Sequence, residues 1–208
     1  MNIMRFHIIA IILLFLCSAP QQATAGNLED DWLSLKATVL TSGMVVQRES
    51  SLKMRISSGI SEKTPEFDLI VEQFSNWVAE QGLPSFVVVR PPISESFNGI
   101  LLFGDGSNAP QGKVLSACEQ FDGTTCVILS KVKHTVSFVI ARMNESGDLD
   151  DRKRSVMQAI FAGYGLHIGT RSIGFAKKAL RFSYQKLEPG MTEAETRTQF
   201  EQHWMRMD

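Results

Sequence analysis

Alternating and apolar runs along the chain predict the strands of a small sheet. Leu52, Met54 and Ile56 alternate with two basic residues, so all three are predicted to face inward from one strand. Further runs of apolar and β-branched residues predict strands over Phe86 to Val89, Ile100 to Phe103, Thr125 to Leu129 and Thr135 to Met143.

Apolar residues spaced three and four positions apart predict an early helix. It begins at Thr64-Pro65-Glu66, where a hydroxyl, a proline and an acid suit the first turn, and it ends before Gly82. Its continuous apolar stripe predicts a face in the core rather than a cofactor site. The stripe consists of Phe67, Ile70, Val71, Phe74, Trp77 and Val78.

A central helix is predicted within Ser146 to Leu166. Gly163 and Gly165 can end it with a left-handed residue, after which Leu166 is expected to fold back as an apolar contact. The apolar residues that share one face of this helix are Val156, Met157, Ile160, Phe161 and Tyr164.

The remaining helical signals lie at the two ends of the chain. Gly26 to Val39 predicts either a short helix or a loose arm, and Phe175 to Leu187 predicts a helix. Thr192 and Glu195 have the spacing of a capping box, which predicts the start of the last helix. Together the elements predict a single α+β domain, with a small mixed sheet packed against helices.

Residues 1–25 have the pattern of a secretory signal peptide. Arg5 supplies positive charge, Ile8 to Leu16 forms an apolar run too short to span a membrane, and Ala23-Thr24-Ala25 matches the cleavage pattern. The bulky Leu16 before Cys17 argues against lipidation. We therefore expect a soluble periplasmic protein whose domain occupies residues 26–208.

The charge of the chain argues against one class of partner, and its cysteines favour a disulfide. The formal net charge is −1 and no segment is strongly basic, so nucleic acid is not an expected partner. Cys118 and Cys126 flank Asp122-Gly123, and in an exported protein this arrangement favours a disulfide over a metal-binding pair.

Three segments together resemble an exported Gram-negative family of unknown function that is described as zincin-like, that is, related to zinc metallopeptidases. They are the alternating strand at Leu52 to Ile56, the helix end and strand at Ala79 to Val89, and the tail Leu187 to Glu195. The tail, with its Pro-Gly-Met-Thr-Glu-Ala-Glu motif, is the most specific match. The resemblance covers residues 52–208 and implies a zincin-like layout.

In that family the central helix carries a His-Glu pair, and here Met157 and Gln158 occupy the corresponding positions. Methionine is a poor zinc ligand, and a glutamine amide cannot accept a proton at neutral pH. The chain contains no H-E-x-x-H motif. By the resemblance no catalytic residue and no zinc site carries over, so we expect a non-catalytic protein without a cofactor.

The first functional hypothesis is a degenerate scaffold that binds a periplasmic protein partner. The predicted binding face consists of Met157, Gln158, Phe161, Tyr164, His167 and Arg171. A second hypothesis is a divergent metal-dependent hydrolase with a rebuilt zinc site. For that site His167 is the candidate ligand among His134, His167 and His203, with Asp150 or Asp151 as oxygen donors. A third is an exported inhibitor or immunity-type protein.

Overall fold

The computed structural model describes residues 25–56, 66–90, 96–103, 125–143 and 149–207. The chain divides into two compact units, Met1–Leu33 and Ser34–Asp208, and the boundary falls within the first helix, α1 (Ala25–Val39). The sheet and the other helices belong to the second unit. Cys118 lies outside the described residues, so its disulfide with Cys126 stays a prediction.

Within the described residues the chain forms five helices, seven strands and a terminal 3-10 turn. The strands are β1 (Leu40–Thr41), β2 (Met44–Val45), β3 (Leu52–Ile56), β4 (Phe86–Val89), β5 (Gly99–Phe103), β6 (Thr125–Val132) and β7 (Thr135–Met143). The helices after α1 are α2 (Phe67–Glu80), α3 (Leu149–Gly163), α4 (Ile173–Lys186) and α5 (Glu193–His203).

Five of the strands form one mixed sheet in the order β4-β3-β5-β7-β6. The four strands β4, β3, β5 and β7 run parallel, and only the edge strand β6 is antiparallel to its neighbour β7. Strands β1 and β2 form a separate antiparallel pair. The α+β class and the mixed sheet predicted from the sequence are confirmed.

Strand β3 shows why the alternating pattern predicted the core correctly. Leu52, Met54 and Ile56 are buried, whereas Arg55 between them is exposed, because successive side chains of a strand point to opposite faces. Helix α3 packs against β5, β6 and β7, and α2 packs against β4 and α3. The two helices therefore cover the same side of the sheet.

Aromatic side chains join α2, α3 and β4 on that side. The Phe74 ring lies 5.3 Å from Phe161, 5.8 Å from Phe86 and 6.0 Å from Tyr164, measured between ring centroids. All four residues are buried, and edge-on aromatic pairs add about 0.5–1.5 kcal/mol each beyond the burial of apolar area. This cluster fixes α3 against α2.

Helix α3 ends as the glycine pattern predicted. Gly165 has a φ of +95°, its amide donates to the Ala162 carbonyl, and the Leu166 amide donates to the Phe161 carbonyl. This pair of bonds is a Schellman motif, and Leu166 is fully buried behind it. A β-carbon at Gly165 would lie 2.2 Å from the Val46 carbonyl oxygen, so only glycine fits.

The Pro-Gly-Met-Thr segment joins the last helix to β2. Gly190 and Met191 exchange backbone hydrogen bonds with Val45, each 2.9 Å long. Thr192 then caps α5, with its hydroxyl accepting from the Glu195 amide and the Glu195 carboxylate accepting from the Thr192 amide. The capping box is confirmed, and this motif has a structural role.

Several element boundaries differ from the sequence predictions. Helix α2 begins at Phe67 after an N-cap at Glu66 that makes no side-chain capping bond, whereas Thr64 and Pro65 lie outside the described residues. Helix α4 begins two residues earlier than predicted, because the Ser172 hydroxyl accepts from the Phe175 amide. Strand β6 continues past the predicted Leu129 to Val132. Of the two alternatives for Gly26 to Val39, the structure shows the helix.

None of the helices in the described part of the chain is both long enough and apolar enough to span a membrane.

Candidate functional site

A groove of about 520 Å³ opens between α2, α3 and the start of α4. Four of its lining residues, which come from these three elements, are apolar: Ile70, Phe74, Met157 and Ile173. We call these four residues the floor of the groove. Phe74 and Met157 also belong to the core, with 1% and 8% of their surface exposed. The floor of the groove is therefore the outer edge of the aromatic cluster. We call this cavity the basic groove because of the charges around it.

Among the described residues that line the basic groove, four are cationic and one, Asp150, is an acid. The cations are Lys153, Arg154, Arg171 and Lys177. They come from two consecutive helices, α3 and α4, and from the loop between them. The folded structure therefore concentrates positive charge that the net charge of −1 conceals.

Two of the four cations already have partners. Lys153 Nζ lies 2.7 Å from a Glu66 carboxylate oxygen, and this hydrogen bond raises the pKa of Lys153. Lys177 Nζ lies 5.1 Å from the centroid of the Trp77 ring, which is within the range of a cation–π contact. These contacts restrain both lysine side chains at the groove.

The two arginines have fewer partners among the described residues than the two lysines. Arg154 is exposed and has no ion-pair partner within the described residues. The Nε of Arg171 is shielded from solvent and, among the described residues, has no hydrogen-bond acceptor. A buried donor without an acceptor is unfavourable by about 1–3 kcal/mol.

A second, smaller cavity of about 310 Å³ lies on the other side of α3, and we call it the His167 cavity. Gln158, Ala162, His167 and Val127 contribute to its wall. The Gln158 Nε2 donates to the Gly169 carbonyl over 2.8 Å. The Gln158 amide thus links α3 to the following loop. Its nitrogen is not basic, so it cannot accept a proton.

The His167 residue is exposed to solvent, yet the protein around its imidazole shifts its pKa. Desolvation is the larger cause that lowers the pKa of His167, and the positive charge of Lys131 acts in the same direction. A lowered pKa keeps the imidazole neutral near pH 7. Within the described part of the chain, no group of three or more His, Cys, Asp or Glu side chains could hold a metal ion.

The other candidate metal ligands lie on separate elements. His134 lies in the turn between β6 and β7, where its ring packs against Gly190, and His203 ends α5. Asp150 lines the basic groove, whereas His167 lines the other cavity. The hypothesis of zinc held by His167 and Asp150 therefore lacks a common cavity.

The predicted binding face needs correction at two residues. Phe161 and Tyr164 have no exposed surface, and the Tyr164 hydroxyl donates to the Pro84 carbonyl over 2.6 Å. Burial is the main cause that raises the pKa of Tyr164. The helical stripe to which both belong packs into the core, so neither side chain can meet a partner.

The four accessible residues of that face do not form one surface. Met157 and Arg171 line the basic groove, whereas Gln158 and His167 line the His167 cavity. Sequence reasoning also missed Ile70 and Lys177, because it assigned α2 wholly to the core and gave α4 no role. The signal that could have found Ile70 was its place at the edge of the apolar stripe.

Arg48, which bonds to the end of α3, is a buried cation that the sequence analysis also missed. It exposes 1% of its surface, and its Nε donates to the Gly163 carbonyl at the end of α3 over 2.5 Å. The negative end of the helix dipole stabilises a cation at that position. Burial nevertheless lowers the pKa of Arg48, and its Nη1 has no hydrogen-bond partner among the described residues.

Gln47, next to Arg48, links α4 to the sheet. Its Nε2 donates to the Ser183 carbonyl over 2.6 Å and to the Leu187 carbonyl over 3.2 Å. Its backbone bonds to β7 through His134 and Val136. The Gln47-Arg48 dipeptide therefore fixes α3 and α4 relative to the sheet, and so fixes the walls of the basic groove.

No family model, no curated protein and no solved structure matches the chain.

Proposed function

We propose that the protein is a non-catalytic binding protein of the periplasm that holds a small ligand in the basic groove. The observation that carries this proposal is the groove of about 520 Å³ on the Met157 side of α3. Its volume falls within the roughly 300–1,000 Å³ typical of small-molecule sites, and an apolar floor with a few polar groups at the rim is their usual composition.

The chemistry of α3 supports binding without turnover. In the zincin-like family that the sequence resembles, the central helix supplies a metal ligand and a general base. Here Met157 offers a thioether to the groove, and the Gln158 amide is bonded to the Gly169 carbonyl. Neither group can accept a proton from an attacking water near pH 7.

The size of the groove favours a small ligand over the protein partner expected from the sequence. A stable protein interface buries about 800 Å² on each partner, and it usually has a broad surface with apolar residues at its centre. The large exposed apolar residues of the described chain each belong to a different helix, strand or turn: Leu33, Met44, Leu69, Val87, Val132, Leu149 and Met205. The proposed periplasmic location rests on the leader pattern of residues 1–25.

The test uses Gln73→Trp, because Gln73 is an exposed residue of α2 that lines the groove. Purified wild type and variant are each equilibrated with the small-molecule fraction of a periplasmic extract, and retained compounds are identified by mass spectrometry. We expect a compound that the wild type retains unchanged and the variant does not. Glu72→Trp is the control, since Glu72 is exposed on α2 but does not line the groove.

Two results would contradict the proposal. Equal retention by wild type and Gln73→Trp would show that the ligand binds elsewhere. Release of a chemically altered compound would show turnover, and the hydrolase hypothesis would then replace the proposal.

A further inference from the structure

We propose that the ligand of the basic groove is a small amphipathic anion, with a carboxylate or phosphate head group and an apolar body. This inference rests on the proposed function, because it names the ligand class of the same groove. The structure supports it through two independent properties of the groove: its charge, which includes the Arg171 guanidinium, and its apolar floor.

The charge around the groove favours an anion. Among the described residues that line it, Lys153, Arg154, Arg171 and Lys177 are cations and Asp150 is an acid. With Glu66, which is bonded to Lys153, the described residues there are four cations and two acids. A cavity lined mainly by one sign of charge attracts ligands of the opposite sign.

Arg171 gives the head group a place to bind. Its Nε is shielded from solvent and has no acceptor among the described residues. The Arg171 side chain lines the groove, and the planar guanidinium matches the geometry of carboxylate and phosphate oxyanions. Arg154 also lines the groove, is exposed and is without a described ion-pair partner, so it can contribute a second contact.

The floor requires an apolar body on the same ligand. Ile70, Met157 and Ile173 line the groove together with the arginines, and they offer no hydrogen bond to a polar ligand. An inorganic anion would leave this apolar surface in contact with water, whereas an alkyl or aryl group would cover it. The ligand therefore combines both parts.

The experiment compares four probes of equal chain length by titration calorimetry: decanoate, decyl phosphate, decanol and decyltrimethylammonium. We expect the two anions to bind at least tenfold more tightly than decanol, and the cation not to bind. The preference for anions should fall as the salt concentration rises, because salt screens exposed charges. Decanoate against decyl phosphate separates the two head groups.

Variants locate the head group. Arg171→Gln should weaken decanoate binding about tenfold or more, since a charge-assisted hydrogen bond is lost, and Arg154→Gln should weaken it by a smaller factor. Arg181→Gln is the matched control, because Arg181 lies one helical turn after Lys177 but does not line the groove. Its affinity should equal that of the wild type, and circular dichroism establishes that each variant is folded.

The outcomes separate this inference from the proposed function. If decanol binds as tightly as decanoate and Gln73→Trp abolishes both, the groove is a binding site but the anion inference is wrong. If no probe binds, the inference is also wrong, while the retention experiment with the periplasmic extract still decides the proposed function. Equal losses in Arg171→Gln and Arg181→Gln would overturn the role of Arg171.

Discussion

Met157 and Gln158 are adjacent in α3, yet their side chains line two separate cavities. Successive residues of a helix are rotated by about 100° around its axis, so one side chain reaches the basic groove and the next reaches the His167 cavity. The two positions that the family resemblance assigns to a His-Glu pair thus contribute to different surfaces here. The predictions below test the scaffold that keeps these two cavities apart.

The first prediction concerns the buried guanidinium of Arg48. Arg48→Ala should lower the free energy of unfolding by about 3 kcal/mol, because it leaves a cavity and removes the bond to the Gly163 carbonyl. Arg48→Met should cost only about 1 kcal/mol, since it fills the volume without burying a charge. Urea denaturation of both variants measures the difference. Equal losses would show that the charge and its hydrogen bonds, rather than side-chain volume, stabilise this site.

The second prediction concerns the end of α3. Gly165→Ala should destabilise the protein by at least about 2 kcal/mol, because a β-carbon there meets the Val46 carbonyl and the left-handed backbone is itself strained. Gly82→Ala is the matched control: its φ is also positive, at +66°, but nothing lies within 4 Å of an added β-carbon. It should cost about 1 kcal/mol. Similar thermal midpoints for the two variants would contradict the steric argument.

The third prediction concerns the pH dependence of His167. Its pKa in the folded protein is lowered, so the unfolded chain binds the proton more readily. The contribution of His167 to stability is therefore intact above the unfolded pKa of about 6.5 and is lost as the pH falls below that value. In urea titrations over this range, stability should fall less steeply for His167→Gln than for the wild type.

The cause of that shift can be measured directly. Lys131→Gln should raise the pKa of His167, because it removes a nearby positive charge. Proton NMR of the imidazole signals at several pH values gives the pKa, and Lys186→Gln at the end of α4 is the control. An unchanged pKa in Lys131→Gln would assign the whole shift to desolvation.

The fourth prediction concerns the start of α5. Thr192→Ala should lower the free energy of unfolding by about 1 kcal/mol, because the Thr192 hydroxyl accepts from the Glu195 amide. Thr198→Ala is the control, since Thr198 is exposed within the same helix and bonds only to the Ala194 carbonyl one turn earlier. Its cost should stay within about 0.5 kcal/mol. The two variants are compared by chemical denaturation.

Much of the fold was predictable from the sequence, because the relevant signals act over a few residues. The inward face of Leu52 to Ile56 follows from the alternation of a strand, and the end of α3 follows from Gly165 and Leu166. The capping box at Thr192 is likewise a contact between residues three apart. The candidate site was less predictable, since an apolar stripe does not reveal where the core ends and a groove begins.

The sequence by itself determined the α+β class and most strand and helix positions. Only the tertiary structure decided that Phe161 and Tyr164 are buried, and that Arg154, Arg171 and Lys177 share a groove with Ile70. The physical reason is that local structure depends on the spacing of neighbouring residues. A cavity and its electrostatic field depend on how elements distant along the chain pack together.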